Sequence, residues 1–355
     1  MTIQYNCRHF NGYIPCAPHK EKCVECNEQC KFYDKTECNI LIIKLGAMGD
    51  VVRTTPLLHR IKKEFPTAKI FWFTEYPSVV PVDVDVILPY NAKSLEWIKA
   101  THFEWGVNLD KDPDACSIFK NCDVKERYGF ILENGVPTPV NELSHHKFLT
   151  GISDTISQKN TKHYMQEIFE ICGWDFDREE YILPKMVVNQ SVSNSHFSGK
   201  VIGLNTGCGG RWKTRLWPEE NWTKLIISLQ QKGYDVVVLG GPEEDEKNIQ
   251  LAAKTHAKYF GVIPILEFLY LMSKCNAIIT AVTMAMHFAI GLKIPLVLFN
   301  NIFNPNEFYF YTKSEIVSPD TGCECYYTPE CKRENPCMND ITADQTLAVI
   351  EKLLK

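Results

Sequence analysis

The chain has 355 residues, 45% hydrophobic and 23% charged, a balance that suits two globular domains and excludes a disordered polymer. A formal net charge of -5 provides no overall basic field, which argues against nucleic acid as the main partner. The 15 cysteines are odd in number and concentrated at the two ends, a distribution that in a reducing compartment points to metal ligation ahead of disulfides.

Residues 1–38 form a Cys-rich leader. Its expected ligand set is Cys7, Cys16, Cys23 and Cys26, with His9, His19 and Cys30 as substitutes and Cys23-x-x-Cys26 as the best-defined knuckle. Its place before the first strand suggests that it packs near the cleft and restricts the acceptor. No apolar run reaches the roughly 20 residues that cross a bilayer, and the first residues lack the apolar stretch of a secretory signal. The expected location is the cytoplasm, with peripheral attachment to the inner membrane face left open.

A first Rossmann-like domain is expected over 39–185. Residues 40–44 are a β-branched run typical of a buried parallel strand. Then come the glycine turn Gly46-Ala-Met-Gly49-Asp50, a helix over 53–65 with Pro56 in its first turn, and a strand over 69–74. Strand, glycine turn, helix and strand open a βαβ unit. Short apolar pieces at 84–88 and 105–109 continue the alternation. Residues 114–157 read as polar loops on the variable face of an acceptor domain, and a helix over 161–171 closes this half.

Residues 186–200 read as a linker, and the same grammar returns over 201–320: strand 201–205, glycine-rich loop 206–215, helix 218–232, strand 236–239, helix 266–273, strand 277–280, helix 283–292 and strand 296–299. Two such halves imply an α/β protein of two facing, doubly wound parallel-sheet domains. Residues 321–355 carry a second Cys-rich segment and a terminal helix.

In open parallel sheets ligands bind beyond the carboxyl ends of the strands, so the loops there are the candidates. Asp50, at a helix start after a glycine turn, is either a general base or a helix cap. The loop 205–218 offers backbone N–H groups and the cations Arg211, Lys213 and Arg215 to a pyrophosphate. Glu244 begins an acidic helix start after a strand, suited to ribose hydroxyls or to the helix dipole. His287 follows Thr283 and Met286 into a helix, where it either faces the cleft or is packed.

Together these segments resemble glycosyltransferase family 9, the ADP-heptose heptosyltransferase family. The resemblance covers roughly 38–355 and rests on Ile40-Leu-Ile-Ile-Lys-Leu-Gly-Ala-Met-Gly-Asp-Val-Val-Arg-Thr-Thr-Pro-Leu-Leu58, Gly203-Leu-Asn-Thr-Gly with Arg215-Leu-Trp-Pro-Glu-Glu-Asn-Trp222, and Thr283-Met-Ala-Met-His-Phe-Ala289. It implies the GT-B architecture and inverting transfer without a catalytic metal, from an ADP-heptose-like nucleotide sugar to a glycan, lipid-linked or protein acceptor. By that resemblance Asp50 is the base, and Thr206, Gly207, Lys213, Arg215, Glu244, Thr283, Met286 and His287 hold the donor. The chain departs from the family at Val282, where an acid is usual, and at Met284, where a glycine is usual. Asn300-Asn301-Ile-Phe-Asn304 replaces a Gly-Pro-Thr turn, so a non-heptose donor stays open.

Cys323, Cys325, Cys331 and Cys337 form a compact second ligand set for structural zinc or iron. A similar Cys-rich segment, iron-binding in protein heptosyltransferases, occurs in parts of the family. The competing reading is a metal-thiolate or nucleic-acid-binding module on a Rossmann scaffold. Nucleic acid is not an expected partner, no transmembrane segment is expected, and a homo-oligomer stays open.

Overall fold

The computed structural model describes residues 2–210 and 212–355. Arg211, one of the expected loop cations, lies outside the described residues.

Among the described residues, twelve strands form two six-stranded sheets. The first holds β1 (Cys38–Ile43), β2 (Ala68–Thr74), β3 (Val86–Pro89), β4 (His102–Asn108), β5 (Asp123–Glu133) and β6 (Val136–Pro139). The second holds β7 (Val201–Asn205), β8 (Asp235–Leu239), β9 (Lys258–Tyr259), β10 (Ala277–Ala281), β11 (Leu296–Phe299) and β12 (Ser314–Val317). The first runs β3-β2-β1-β4-β5-β6 and the second β12-β11-β10-β7-β8-β9, so each has the doubly wound order in which the chain reverses direction beside its first strand. All ladders are parallel except the β5–β6 hairpin. The resulting switch points lie between β1 and β4 and between β7 and β10. The inner strands are continuous apolar runs because helices cover both faces; Ile40, Leu41, Ile42 and Ile43 have no exposed surface.

Outer clusters back each sheet, one around Leu41, Phe73 and Phe103 and the other around Ile202, Trp222 and Phe299. A larger cluster runs through both halves: Ile40, Val51, Leu57 and Trp72 of the first are continuous with Phe268, Ile278, Met286 and Phe288 of the second. Helix Ala343–Leu353 packs on the second domain through Ile350 and Leu353, and the Trp217 indole N–H donates to the Ile341 carbonyl at 2.8 Å.

Three expectations need correction. The helix over 53–65 is two helices, Met48–Thr54 and Leu57–Glu64, separated at Thr55 and Pro56. Pro56 has no N–H to continue the first ladder, and buried Val51 and Val52 carry that helix upstream of Arg53. Residues 114–157 are largely regular, with helices Pro113–Lys120, His145–Ile152 and Asp154–Lys159 and the β5–β6 hairpin. The hairpin turns at Asn134 and Gly135, at φ 52° and 79°, the left-handed pair that an Asn-Gly turn supplies. The leader, expected near the cleft, docks at the opposite end. Arg8 donates to the Ala68 carbonyl at 2.6 Å and pairs with Asp85 at 2.9 Å, and Lys69 donates to the Phe10 carbonyl at 3.1 Å. Ala68 and Lys69 open β2, and Asp85 immediately precedes β3, so the leader sits beneath the strands' amino ends, away from the ligand end.

Within the expected linker 186–200, Asn189 caps a short helix, Gln190–Ser193, by accepting the Val192 N–H at 3.0 Å. No helix among the described residues is long and apolar enough to cross a membrane.

Candidate active site

The turn after β1 leads directly into helix Met48–Thr54, with Asp50 in its first turn. The Asp50 carboxylate accepts the Ala47 N–H at 3.2 Å, so it does close the helix start. Its other oxygen faces Arg53 at 2.8 Å, and 31% of the side chain stays exposed. Burial alone would raise the carboxyl's pKa, but Arg53 and then Lys44 outweigh burial and hold it below the usual carboxylate range. Lys44, at the end of β1, forms a buried ion pair with Asp110 at the end of β4, and Asp110 also accepts the Leu45 N–H at 2.5 Å. The first switch point is thereby braced across its two strands. The Arg53 guanidinium lies 3.5 Å from the centre of the Tyr164 ring.

The second domain meets this helix through helix Met284–Gly291. A methyl group built on Gly49 would stand 2.6 Å from His287 Cδ2, so glycine is what lets the two helices approach. His287 is buried, with Nδ1 at 3.5 Å from the Tyr181 hydroxyl. Burial, reinforced by Arg53, pushes its pKa down to about 3, so the imidazole is neutral near pH 7 and adds no charge beside Asp50. Arg53, Tyr164, Tyr181, His287 and Glu307 line a small pocket bounded by both domains. Met286 also lines it and is wholly buried, which places it in the shared core.

At the second switch point, Arg215 is buried with 7% exposed surface. Its guanidinium donates to the Cys208 carbonyl at 2.8 Å and to the Val282 carbonyl, and burial lowers its pKa. No carboxylate pairs with it among the described residues. Around it stand the ends of β7, β8 and β10. Asn205 donates to Thr280 at 3.0 Å and to the Gly207 carbonyl at 3.1 Å, while Thr206 donates to Asn248 at 2.6 Å. Thr283 precedes helix Met284–Gly291 without a side-chain bond to the helix start, its hydroxyl lying 3.1 Å from that of Thr280. Glu244 covers Gly207 so closely that a methyl there would be 2.0 Å from its carboxyl, and it accepts the Gly241 N–H at 2.9 Å. Lys213 is exposed at the loop's rim.

The structure thus gathers Thr206, Gly207, Arg215, Glu244 and Thr283 at one switch point, and sets His287 and Met286 against the Asp50 side. Sequence reasoning missed Arg53, Tyr181, Glu307 and Lys247, whose ammonium donates to the Thr206 carbonyl at 3.0 Å. Arg53 was within reach as the i+3 partner of Asp50 on a helix. Tyr181 and Glu307 lie far from the motifs and had no local signal.

Residues 157–336 match the family model described as glycosyltransferase family 9 (heptosyltransferase). The chain belongs to glycosyltransferase family 9. Its similarity to lipopolysaccharide heptosyltransferase 1 of Pseudomonas aeruginosa is 21% identity, spanning 89% of this chain and 98% of that protein. The fold matches the family 9 glycosyltransferase of Veillonella parvula at a TM-score of 0.67 and 16% identity, over 90% of this chain and 97% of that one. It matches ADP-heptose lipopolysaccharide heptosyltransferase II of E. coli at 0.63 and 17%, over 89% and 98%. This family 9 member is therefore a glycosyltransferase of the heptosyltransferase-like kind with the GT-B arrangement, and membership decides against the module without transferase activity.

The terminal cysteines are all free thiols. In the carboxy-terminal segment Cys325 and Cys331 approach to 3.9 Å between sulfurs, and the Cys325 N–H donates to Cys323 Sγ at 3.3 Å. Cys337 receives Asn301 Nδ2 at 3.7 Å. In the leader Cys23 is exposed, at the left-handed end of helix Ala17–Lys22, whereas Cys7, Cys16 and Cys26 are half-buried. Among the described residues no group of three or more His, Cys, Asp or Glu side chains is set to hold a single metal ion.

Proposed function

We propose that this glycosyltransferase inverts the anomeric centre of a heptose-like sugar as it moves it from a nucleotide diphosphate, ADP-heptose in type, to an acceptor hydroxyl on a glycan or protein. The acceptor oxygen forms the new bond to the anomeric carbon and its proton passes to the Asp50 carboxylate. The bond from that carbon to the β-phosphate oxygen breaks, and the nucleoside diphosphate leaves with the electron pair. Arg53 keeps Asp50 ionised before the proton arrives. The departing charge falls to Arg215, to the Gly207 backbone and to Lys213 and Lys247, which need no catalytic metal to do this. Glu244 takes the ribose hydroxyls.

The observation that carries this reading is one continuous connection. Arg215 holds the Val282 carbonyl just ahead of helix Met284–Gly291, and His287 of that helix abuts Gly49 beside Asp50. Arg215 and Asp50 are thus linked, each through a neighbour, to the residue ahead of this helix and to its first turn. The similarity to ADP-heptose enzymes supports the donor class. It also supports a cytoplasmic site of action. The test is turnover of ADP-heptose by the Asp50→Asn chain, alongside the thermal shift that ADP induces. Lost turnover with the shift retained is expected; turnover at the parent rate overturns the role of Asp50.

At Cys323, Cys325, Cys331 and Cys337 the donor chemistry fits a soft metal, since closely placed thiols of this kind prefer zinc or iron. Such a centre would pin the segment between β12 and the last helix and leave the chemistry to Asp50.

A further inference from the structure

The loop after β11 carries a carboxylate across to the first domain. Asn304 is buried, and its side-chain amide donates to the carbonyls of Ser157 and Asn160, each at 2.7 Å. Asn306 adds a bond to the Asn160 carbonyl at 3.1 Å. These bonds fasten a loop at the ligand end of the second sheet to the opposite half of the molecule. The single helical turn Pro305–Glu307 follows at once, so the position of Glu307 is set by that attachment.

Glu307 Oε1 accepts the Tyr327 hydroxyl at 2.5 Å, and Oε2 has no hydrogen-bond partner among the described residues. The carboxylate shares its small pocket with Arg53, Tyr164, Tyr181 and His287. Arg53 pairs with Asp50 through Nη2 at 2.8 Å, and its Nε is buried without a hydrogen-bond partner. Burial alone would lower the Arg53 pKa, but Asp50, then Tyr164 and Glu307, raise it. One guanidinium therefore feels two carboxylates: the base on its own helix and Glu307 from the other domain. The pocket has N–H groups to give on one side and a carboxylate oxygen to fill on the other. A hydroxyl satisfies both, because it accepts from a cation and donates to a carboxylate. A phosphate or an ionised carboxyl group only accepts, and Glu307 repels it.

The geometry points to Glu307 as a specificity-determining residue for the acceptor, its free oxygen receiving the hydrogen bond of a second hydroxyl beside the one that Asp50 deprotonates. This rests on the transferase reading above and narrows the acceptor to a polyol, such as a sugar ring, in place of a lone serine or threonine hydroxyl.

The test follows ADP-heptose in the full chain with two probe acceptors. Methyl α-mannopyranoside offers adjacent hydroxyls, and N-acetylserine amide offers one. The unmodified chain should favour the mannoside. Glu307→Gln should lower the ratio of the two kcat/KM values by about 10-fold or more, through KM for the mannoside, as for a lost hydrogen bond to a charged group. The thermal shift that ADP induces identifies variants that fold. In the unmodified chain, one of the monodeoxy mannosides should lose the same factor, and Glu307→Gln should be blind to that deletion, since the two changes remove one interaction. A ratio that survives Glu307→Gln, or an equal loss with both probes, overturns the role of Glu307. Either result beside an inactive Asp50→Asn chain leaves the transferase reading standing, whereas an Asp50→Asn chain at the parent rate removes both.

Discussion

The two switch points are built on the same strand order and are electrically opposite. At the first, the two charges nearest the glycine turn are paired: Lys44 with Asp110, and Asp50 with Arg53. At the second, Arg215 is buried against carbonyl oxygens with no acid paired to it among the described residues. In the proposed reaction the group that accepts the proton is kept ionised by a fixed neighbour, whereas the group that receives the leaving nucleoside diphosphate is left for the ligand to complete. This difference is what a transferase needs, since a carboxylate paired with Arg215 would compete with the phosphates.

The sharpest way to break the comparison is Asp50→Asn, which should lower kcat by about 100-fold to 10,000-fold, the range of a lost general base, in steady-state assays. Next, Arg215→Met should weaken ADP binding by about 10-fold to 150-fold by calorimetry, equivalent to roughly 1.5–3 kcal/mol for a charged hydrogen bond. The same variant should leave the acid limb of the rate profile in place. That limb lies below the ordinary carboxylate range because Arg53 depresses Asp50, and Arg53→Gln should move it upward.

Gly49→Ala forces a methyl onto His287 and should destabilise the fold by about 1–3 kcal/mol in urea unfolding. Per pH unit, the smallest effect is a stability slope. His287 is depressed to about 3 when folded, and a free histidine titrates near about 6.5, so the unfolded chain binds the extra proton between those values. Stability should therefore fall as pH drops below about 6.5, by up to about 1.4 kcal/mol per unit, and His287→Gln should flatten the slope.

Much of this was legible in the chain because parallel strands buried on both faces are unbroken apolar runs. Residues 201–205 and 296–299 coincide with β7 and β11 for that reason. Where burial is one-sided the signal faded. The long β5 carries exposed Lys125 and Glu126 at its outer edge and read as loop, although Asn134-Gly135 announced its hairpin. Asp50, Arg215 and Glu244 were legible as loop residues beyond strand ends. Their partners were legible only in part, since the i+3 spacing exposes Arg53 while Tyr181 reaches His287 across 106 positions of chain. The leader's location was not legible at all, because one guanidinium contacting Ala68 and Asp85 decides it.

The apolar cluster that runs from Val51 through to Phe288 also has a bearing on handling. Neither half owns a finished inner face, so cutting the chain within 186–200 would leave two fragments with greasy, water-facing walls. They should be insoluble when made separately and recoverable only by co-expression. Any motion that admits substrate must then slide these walls past each other instead of prising them apart.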